Sequence, residues 1–257
     1  MENVSNLKAI KELEEMYSII EQCFLGSKLG YTYDQYPIVF DYIRKTRQRT
    51  LEATIHELVI LIKKHLGRTN IGHVLDAACG SGDVAFHLPS EFGSNVKIHG
   101  CDISVKAIEE AQASAFLAKG YENLSYSTQN LLALPGSWDK KFDVVLLFDV
   151  LHDMGNRDEA LKNAIRVLKD DGLLVIVDPK VSSNILENGN NPQAAIALLY
   201  SILWCIPTAC CSDAHGVGWG FENKDKLMTK HRLQVVDRRE LMGSPFDFAY
   251  FAKKILK

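Results

Sequence analysis

Val74-Leu75-Asp76-Ala77-Ala78-Cys79-Gly80-Ser81-Gly82-Asp83 is the stretch on which the fold turns. A short apolar run ends beside Asp76, small residues follow at Ala78, Gly80 and Gly82, and a helical pattern opens at Asp83. That is how a buried strand hands the chain to a helix whose free N–H groups face a ligand. The small residues let backbone and ligand approach closely. Asp102 ends the next apolar run, 20 residues beyond Gly82, where an acidic side chain can grip a ribose diol.

Outward from this turn, strand and helix patterns alternate. VKIHGCDIS reads as a second strand ending at Asp102, and Val105 to Lys119 as a helix with Gly120 at its C-cap. LSYSTQNLLALP is a third strand running into a loop, and FDVVLLFDVLHDM a fourth, apolar enough to be buried on both faces. Arg157 to Lys169 is helical, and DDGLLVIVDPK is the fifth strand. The last 25 residues read as two strands around Gly243–Pro245. The expectation is an α/β fold: a doubly wound, mostly parallel, seven-stranded Rossmann-like sheet with an antiparallel C-terminal strand pair. Residues 1–70 form an N-terminal helical segment: a helix to about residue 30, an aromatic turn entered through Pro37, then a helix from Ile38 to His65 closed by Gly67. Residues 71–257 form the main domain, with an insertion at about 181–220 as a lid.

Composition narrows the class. The 257 residues are 47% hydrophobic and 24% charged, with a formal net charge of -3, so no basic footprint for nucleic acid is present. The 6 cysteines include no Cys-x-x-Cys pair, and the charged N-terminus does not read as a signal peptide, which fits reduced thiols in a cytoplasmic protein. Cys205, Cys210, Cys211 and His215 match no zinc spacing, so no metal is expected. Ala194 to Cys211 is long and apolar, but Ser201, Pro207 and Thr208 interrupt it and no Lys or Arg flanks it closely. It reads as a buried helix or helix pair over an active site, not a membrane span. Asp143, opening the fourth strand, reads as structural.

The glycines alone leave the ligand open, because Gly80 to Ala85 also satisfies the dinucleotide pattern G-x-G-x-x-A. Asp76 discriminates. A pyrophosphate beside it would meet a like charge, costing up to about 4 kcal/mol at ~4 Å and an effective dielectric of ~20. S-adenosylmethionine carries no phosphate; it offers an ammonium and a sulfonium.

With Asp76, Ala78, Gly80, Gly82, Asp102 and the Leu134-Pro135 loop in place, the sequence resembles the class I S-adenosylmethionine-dependent methyltransferases. The resemblance implies that the glycine turn faces the methionine part of the cofactor and Asp102, with Ile103, its ribose. Asn130, five residues before Pro135, would face the adenine, with Leu131 packed on the ring. Ala78 and Asn130 stand where the family more often has Gly and Asp. Phe148 would lie near the methionine part, where an aromatic face favours a cation. His152-Asp153 resembles the His-Asp pair of small-molecule O-methyltransferases, which implies His152 as general base; a strand-end histidine bonding locally is the competing reading.

A closer resemblance, over residues 28–257, is to the group in which a winged helix precedes the catalytic domain. GYTYDQYPIVFDYI, DPKVSSNILENGNNP, His215 to Gly220 and SPFDFAYFAKK carry it. The stretch before Gly30 is too short for a complete winged helix. The function expected is methyl transfer from S-adenosylmethionine to an oxygen or nitrogen of a small-molecule acceptor. No nucleic-acid or membrane partner is expected, and a homodimer is left open. A non-catalytic scaffold keeping the fold is the alternative, and a nicotinamide oxidoreductase the third reading.

Overall fold

The computed structural model describes residues 34–35, 37–117, 121–209 and 214–256, with single positions and short runs between 11 and 25. Much of the expected first helix, the Gly120 cap, Cys210 and Cys211 lie outside the described residues.

α1 (Pro37–Leu66) is one 30-residue helix, and Gly67 takes φ 67 to close it. Then β1 (His73–Ala77), α2 (Asp83–Phe92), β2 (Lys97–Asp102), α3 (Val105–Leu117) and β3 (Leu124–Thr128) follow in strict alternation. β4 (Phe142–Phe148) leads through a short 3-10 turn, Leu151–Asp153, to α4 (Arg157–Val167) and β5 (Leu168–Pro179). The inserted segment holds α5 (Pro192–Leu203) and α6 (Cys205–Ala209), and the chain ends with α7 (Phe221–Lys230), β6 (Leu233–Leu241) and β7 (Ser244–Lys254).

The 7-stranded sheet runs β3-β2-β1-β4-β5-β7-β6, with β1 to β5 parallel and β7 antiparallel to both neighbours. β1 therefore sits between β2 and β4, so successive connections leave it in opposite directions. Open α/β sheets bind ligands at such a reversal, outside the carboxyl ends of the strands. Adjacent residues of the buried strands serve opposite faces: Leu75, Val145 and Ile176 join one core layer, and Val74, Val144 and Val175 the other. α1 belongs to the second layer, burying Ile55, Leu58, Val59 and Ile62 completely or nearly so.

Three sequence boundaries move. β4 stops at Phe148 because Asp149 turns to φ 55, so the His-Asp pair lies on a 3-10 turn and not on the strand. The helix after Arg157 stops at Val167, since Leu168 is already extended and pairs with Phe142. The apolar stretch after Ala194 does form two helices, but α5 is not buried: Ile196, Leu199, Tyr200 and Ile202 are exposed. Only one flank, through Ala194, Ala197 and Leu198, packs on Val181 and Val217. Among the described residues no helix is long and apolar enough to cross a membrane.

Candidate active site

The β1–α2 turn is built from backbone that few residues tolerate. Ala78, Gly80 and Gly82 all take left-handed φ, at 60, 54 and 81. Gly82 is doubly fixed, because a Cβ there would come 2.7 Å from Tyr126 and 2.8 Å from Ala111. At Gly80 an added Cβ would meet nothing within 4 Å: that side faces open space. The Gly80 N–H donates to Asp102 Oδ2 at 2.9 Å, and Ser104 N–H to Asp102 Oδ1 at 2.9 Å, so the β2 carboxylate is pinned against the turn. Each of its oxygens retains a lone pair for a further donor.

Asp76 is 1% exposed and accepts from the Ala85 N–H at 3.1 Å, inside the first turn of α2. Burial, against the help of that N–H and with repulsion from Asp102 and Asp83, pushes its pKa up to about 7. Its charge is therefore conditional, which weakens an argument that treats it as a full anion; a nearby cation would restore it.

The other expected cofactor residues follow from the neighbouring strands, with Gln129 N–H donating to the Asp102 carbonyl at 2.8 Å just before Asn130. Asn130 is exposed and caps the 3-10 turn Leu131–Ala133 by accepting from Leu132 N–H at 2.9 Å. Leu131 is 5% exposed, in the core beside Leu134 and Trp138, while Ile103 is exposed. Phe148 is half-buried and lines the cavity described next.

That cavity, of about 250 Å³, opens at the carboxyl ends of β1 and β4. Ala78 to Ser81 and Asp83 form one wall, Phe148, Asp149 and Asp153 the floor, Arg44, Arg47 and Leu51 of α1 a second wall, and Trp204, Cys205 and Thr208 a third. A larger groove of about 450 Å³ between α4 and α7 contains none of the turn residues. Arg44 reaches Ser81 at 3.4 Å and lies 3.8 Å from Asp83. Arg47 holds Asp149 at 2.5 Å; burial opposes its charge, but Asp149 and Asp247 outweigh it.

His152 sits behind the cavity floor with its side chain 2% exposed. Its Nδ1 is 2.7 Å from Asp178 Oδ1, at the end of β5. An ionised carboxylate only accepts, so Nδ1 donates and Nε2 is the titrating nitrogen. Nε2 lies 3.2 Å from Asp153 Oδ1 and 3.5 Å from Cys205 Sγ, both of which line the cavity. Burial works against an imidazolium, yet Asp153 and then Asp178 outweigh it and push His152 well above its ordinary value. Asp178 is buried too, but Lys224 and His152 hold it down at about 2. Burial and Asp153 push the Cys205 thiol up to about 11. Two trios, His152/Asp153/Cys205 and Asp149/His152/Asp178, bring metal-capable atoms within 4.8 Å.

Sequence reasoning named Asp153 beside His152 and weighed Cys205 only as a metal ligand, and it missed Arg44, Arg47, Asp178 and Lys224. Two left a readable trace. Asp178 is a charge closing an otherwise unbroken apolar run, and Lys224 stands at helical spacing from Phe221, Leu227 and Met228, on the apolar side of α7. Arg44 and Arg47 left none, since cations on a long helix normally face water.

Fold and site define a Rossmann-like α/β protein with a nucleoside-type strand-turn-helix unit and a buried histidine–carboxylate pair at one cavity. The chain belongs to the methyltransferase family, whose description, "Methyltransferase domain", matches residues 69–234. It is 29% identical over 164 residues to the O-methyltransferase resE of Aspergillus sclerotiorum, covering 60% of this chain and 61% of that one. It is 33% identical over 104 residues to a 2-phytyl-1,4-naphtoquinone methyltransferase of Nostoc sp., covering 40% of this chain and 45% of that one. The chain thus spans between about half and three fifths of these relatives. Among solved structures, magnesium protoporphyrin IX methyltransferase from Synechocystis PCC 6803 with bound SAH superposes at TM-score 0.59 with 18% identity, over 83% of this chain and 87% of that one. A putative O-methyltransferase from Nostoc punctiforme PCC 73102 superposes at TM-score 0.62 with 16% identity, over 78% and 55%. At that identity these two speak for the fold.

Proposed function

We propose that this protein transfers a methyl group from S-adenosylmethionine to an oxygen or nitrogen of a small molecule. The observation that carries this is one cavity with the glycine turn on one side and the Asp153–His152–Asp178 series on another. The open face of Gly80 and the acids Asp83, Asp149 and Asp153 suit a ligand with a sulfonium and an ammonium, and Arg44 on the same cavity would pair with a carboxylate. Asp102 with Ile103 would hold the ribose, Asn130 the adenine edge beside the Leu131 turn, and Asp76, Ala78, Gly80, Gly82 and Phe148 the methionine part. When bound, the cofactor supplies an activated methyl on sulfur.

The chain's own residues orient the acceptor and take its proton. Asp153 lines the cavity and its Oδ1 lies 3.2 Å from His152 Nε2, which supports a reading in which the acceptor's proton passes to the Asp153–His152 pair rather than to a bare imidazole. Oxygen is favoured as acceptor atom, because a hydroxyl must lose a proton and this relay can receive it. A scaffold reading leaves the buried relay without a purpose. We also propose the winged-helix-associated group, a cytoplasmic location, no nucleic-acid or membrane partner and a homodimer as an admissible assembly; the motifs GYTYDQYPIVFDYI and DPKVSSNILENGNNP support the first.

Calorimetric titration with S-adenosylhomocysteine tests the reading. Binding is expected, with a tenfold or greater loss on Asp102→Ala, the scale of a charged hydrogen bond. Absence of binding at millimolar ligand, or unchanged affinity in the variant, overturns it.

A further inference from the structure

Lys224 is 0% exposed, on the face of α7 that also buries Leu227 and Met228. A leucine there would extend the core at no electrostatic cost, whereas a buried ammonium is expensive unless paired. Its partners are few. Nζ lies 2.9 Å from Asp178 Oδ2, donates to the Trp219 carbonyl at 3.0 Å and stands 5.4 Å from the Trp219 ring centroid. Asp178 is thus held from both sides, by Lys224 on Oδ2 and by His152 Nδ1 on Oδ1.

The charges around the imidazole make this arrangement consequential. Asp178 faces it from β5, Asp153 from its own turn, Asp149 from the end of β4 and the Cys205 thiol from α6. Arg157 of α4 donates to the His152 carbonyl at 2.9 Å, and His215 lies 3.4 Å from that guanidinium. Without Lys224, Asp178 would keep only the imidazole within hydrogen-bond reach as a cation, with Arg157 acting on it and on Asp153 from farther off, and the imidazole would hold its proton more tightly. A protonated imidazole cannot receive a proton.

We propose that Lys224 is a positioning residue for methyl transfer: by neutralising Asp178 from the side opposite His152, it fixes the imidazole with Nδ1 on Asp178 and limits the proton affinity of Nε2. The inference rests on His152 as proton acceptor in the function proposed above. Lys224 touches neither cavity nor acceptor; it acts through Asp178.

The test is Lys224→Met, with Lys224→Gln as a smaller polar replacement, in the full-length protein. The protonated fraction of His152 is read from its imidazole ¹⁵N resonances between pH 6 and 9, assigned by their loss in His152→Gln. Thermal unfolding confirms the fold of each variant. In the wild type the neutral form is expected to carry its proton on Nδ1 and to appear toward the alkaline end of this range, since, against burial, Asp153 and Asp178 hold the imidazole above its ordinary value. Removing the nearby cation should raise the protonated fraction at every pH, moving the midpoint up by about one unit or more, the usual scale for a neighbouring charge. The acid limb of log kcat/KM should move up by the same amount, so activity lost at pH 7 returns at higher pH. A wild-type His152 fully protonated throughout, or neutral with the proton on Nε2, overturns the proposal without any variant. So does a folded variant whose His152 titration does not move, or one that loses activity equally at all pH values. If the resonance moves and the kinetic limb does not, Lys224 controls His152 but His152 is not the proton acceptor, and the failure lies in the proposed mechanism.

Discussion

Asp76 carries a cost to the fold that its proposed place at the cofactor would explain. Its carboxyl is buried with the Ala85 N–H as its hydrogen-bond partner, and its pKa rises to about 7. An acid with a raised folded value favours the folded state only while protonated. Its contribution is intact below the unfolded value near 3.9 and is lost as pH rises through about 7. Asp76→Asn keeps an oxygen for Ala85 N–H and removes that loss. The variant is expected to be more stable than wild type at pH 8 by ~1–3 kcal/mol, roughly 3–10 °C in Tm, with the gain vanishing near pH 4. It should bind S-adenosylhomocysteine more weakly at the same time. Calorimetric melting at both pH values, beside a binding titration, checks the pair of effects; a variant less stable than wild type at pH 8 contradicts it. From the sequence, Asp76 was legible as an acid at the strand end beside the glycine turn. Its conditional charge was not, because burial is decided by α2 packing over it.

The β1–α2 turn separates two glycines that look alike in sequence. Gly82 has no room for a side chain, being wedged against Tyr126 and Ala111, and Tyr126 OH also donates to its carbonyl at 3.1 Å. Gly80 needs only its left-handed φ, because its Cβ side is open. Gly82→Ala should therefore cost about 3 kcal/mol or more, combining overpacking with the left-handed penalty. Gly80→Ala should cost about 1 kcal/mol in stability and act mainly by intruding on the cavity. Urea unfolding should rank them in that order, and ligand affinity should fall in folded Gly80→Ala. Equal destabilisation would show that the turn is governed by φ alone. Elements with a clear period were readable at this scale: β1, β2, β5 and α1 fall within a few residues of expectation, apart from the early start of β5. α5 was not, since its composition is apolar all round while its exposure is one-sided.

At the scale of the molecule, the end of the sheet opposite the cavity is tied together by one acid. Asp143 is fully buried and accepts from the Gly72 and His73 N–H groups, each at 2.9 Å, from Arg68 at 2.7 Å and from Lys169 at 2.9 Å. It thereby joins the starts of β1, β4 and β5. Burial alone would raise its pKa, but Lys169 and the two backbone donors lower it below the usual carboxylate range. A depressed carboxyl contributes stability that is complete above its unfolded value and is lost as pH falls through its lower folded value. Asp143→Asn should destabilise the protein at pH 7 by about 1–3 kcal/mol, since it weakens charged hydrogen bonds to Arg68, Lys169 and two backbone N–H groups, and should flatten the decline in stability below pH ~4. Melting temperatures from pH 7 to pH 3 measure both; parallel curves for variant and wild type would refute the linkage.

The sequence by itself determined the order of strands and helices, the parallel sheet and the glycine turn with Asp102 beside it. Those features are local, written in periodicity, glycines and short spacings. Only the tertiary structure decided what surrounds His152. Asp178 lies 26 residues away, Cys205 53 and Lys224 farther still, and they meet because β5, α6 and α7 converge on one turn. No spacing rule encodes that convergence. It is fixed by the burial of apolar faces that carry these polar side chains inward with them, where they pair with one another and with the Trp219 carbonyl.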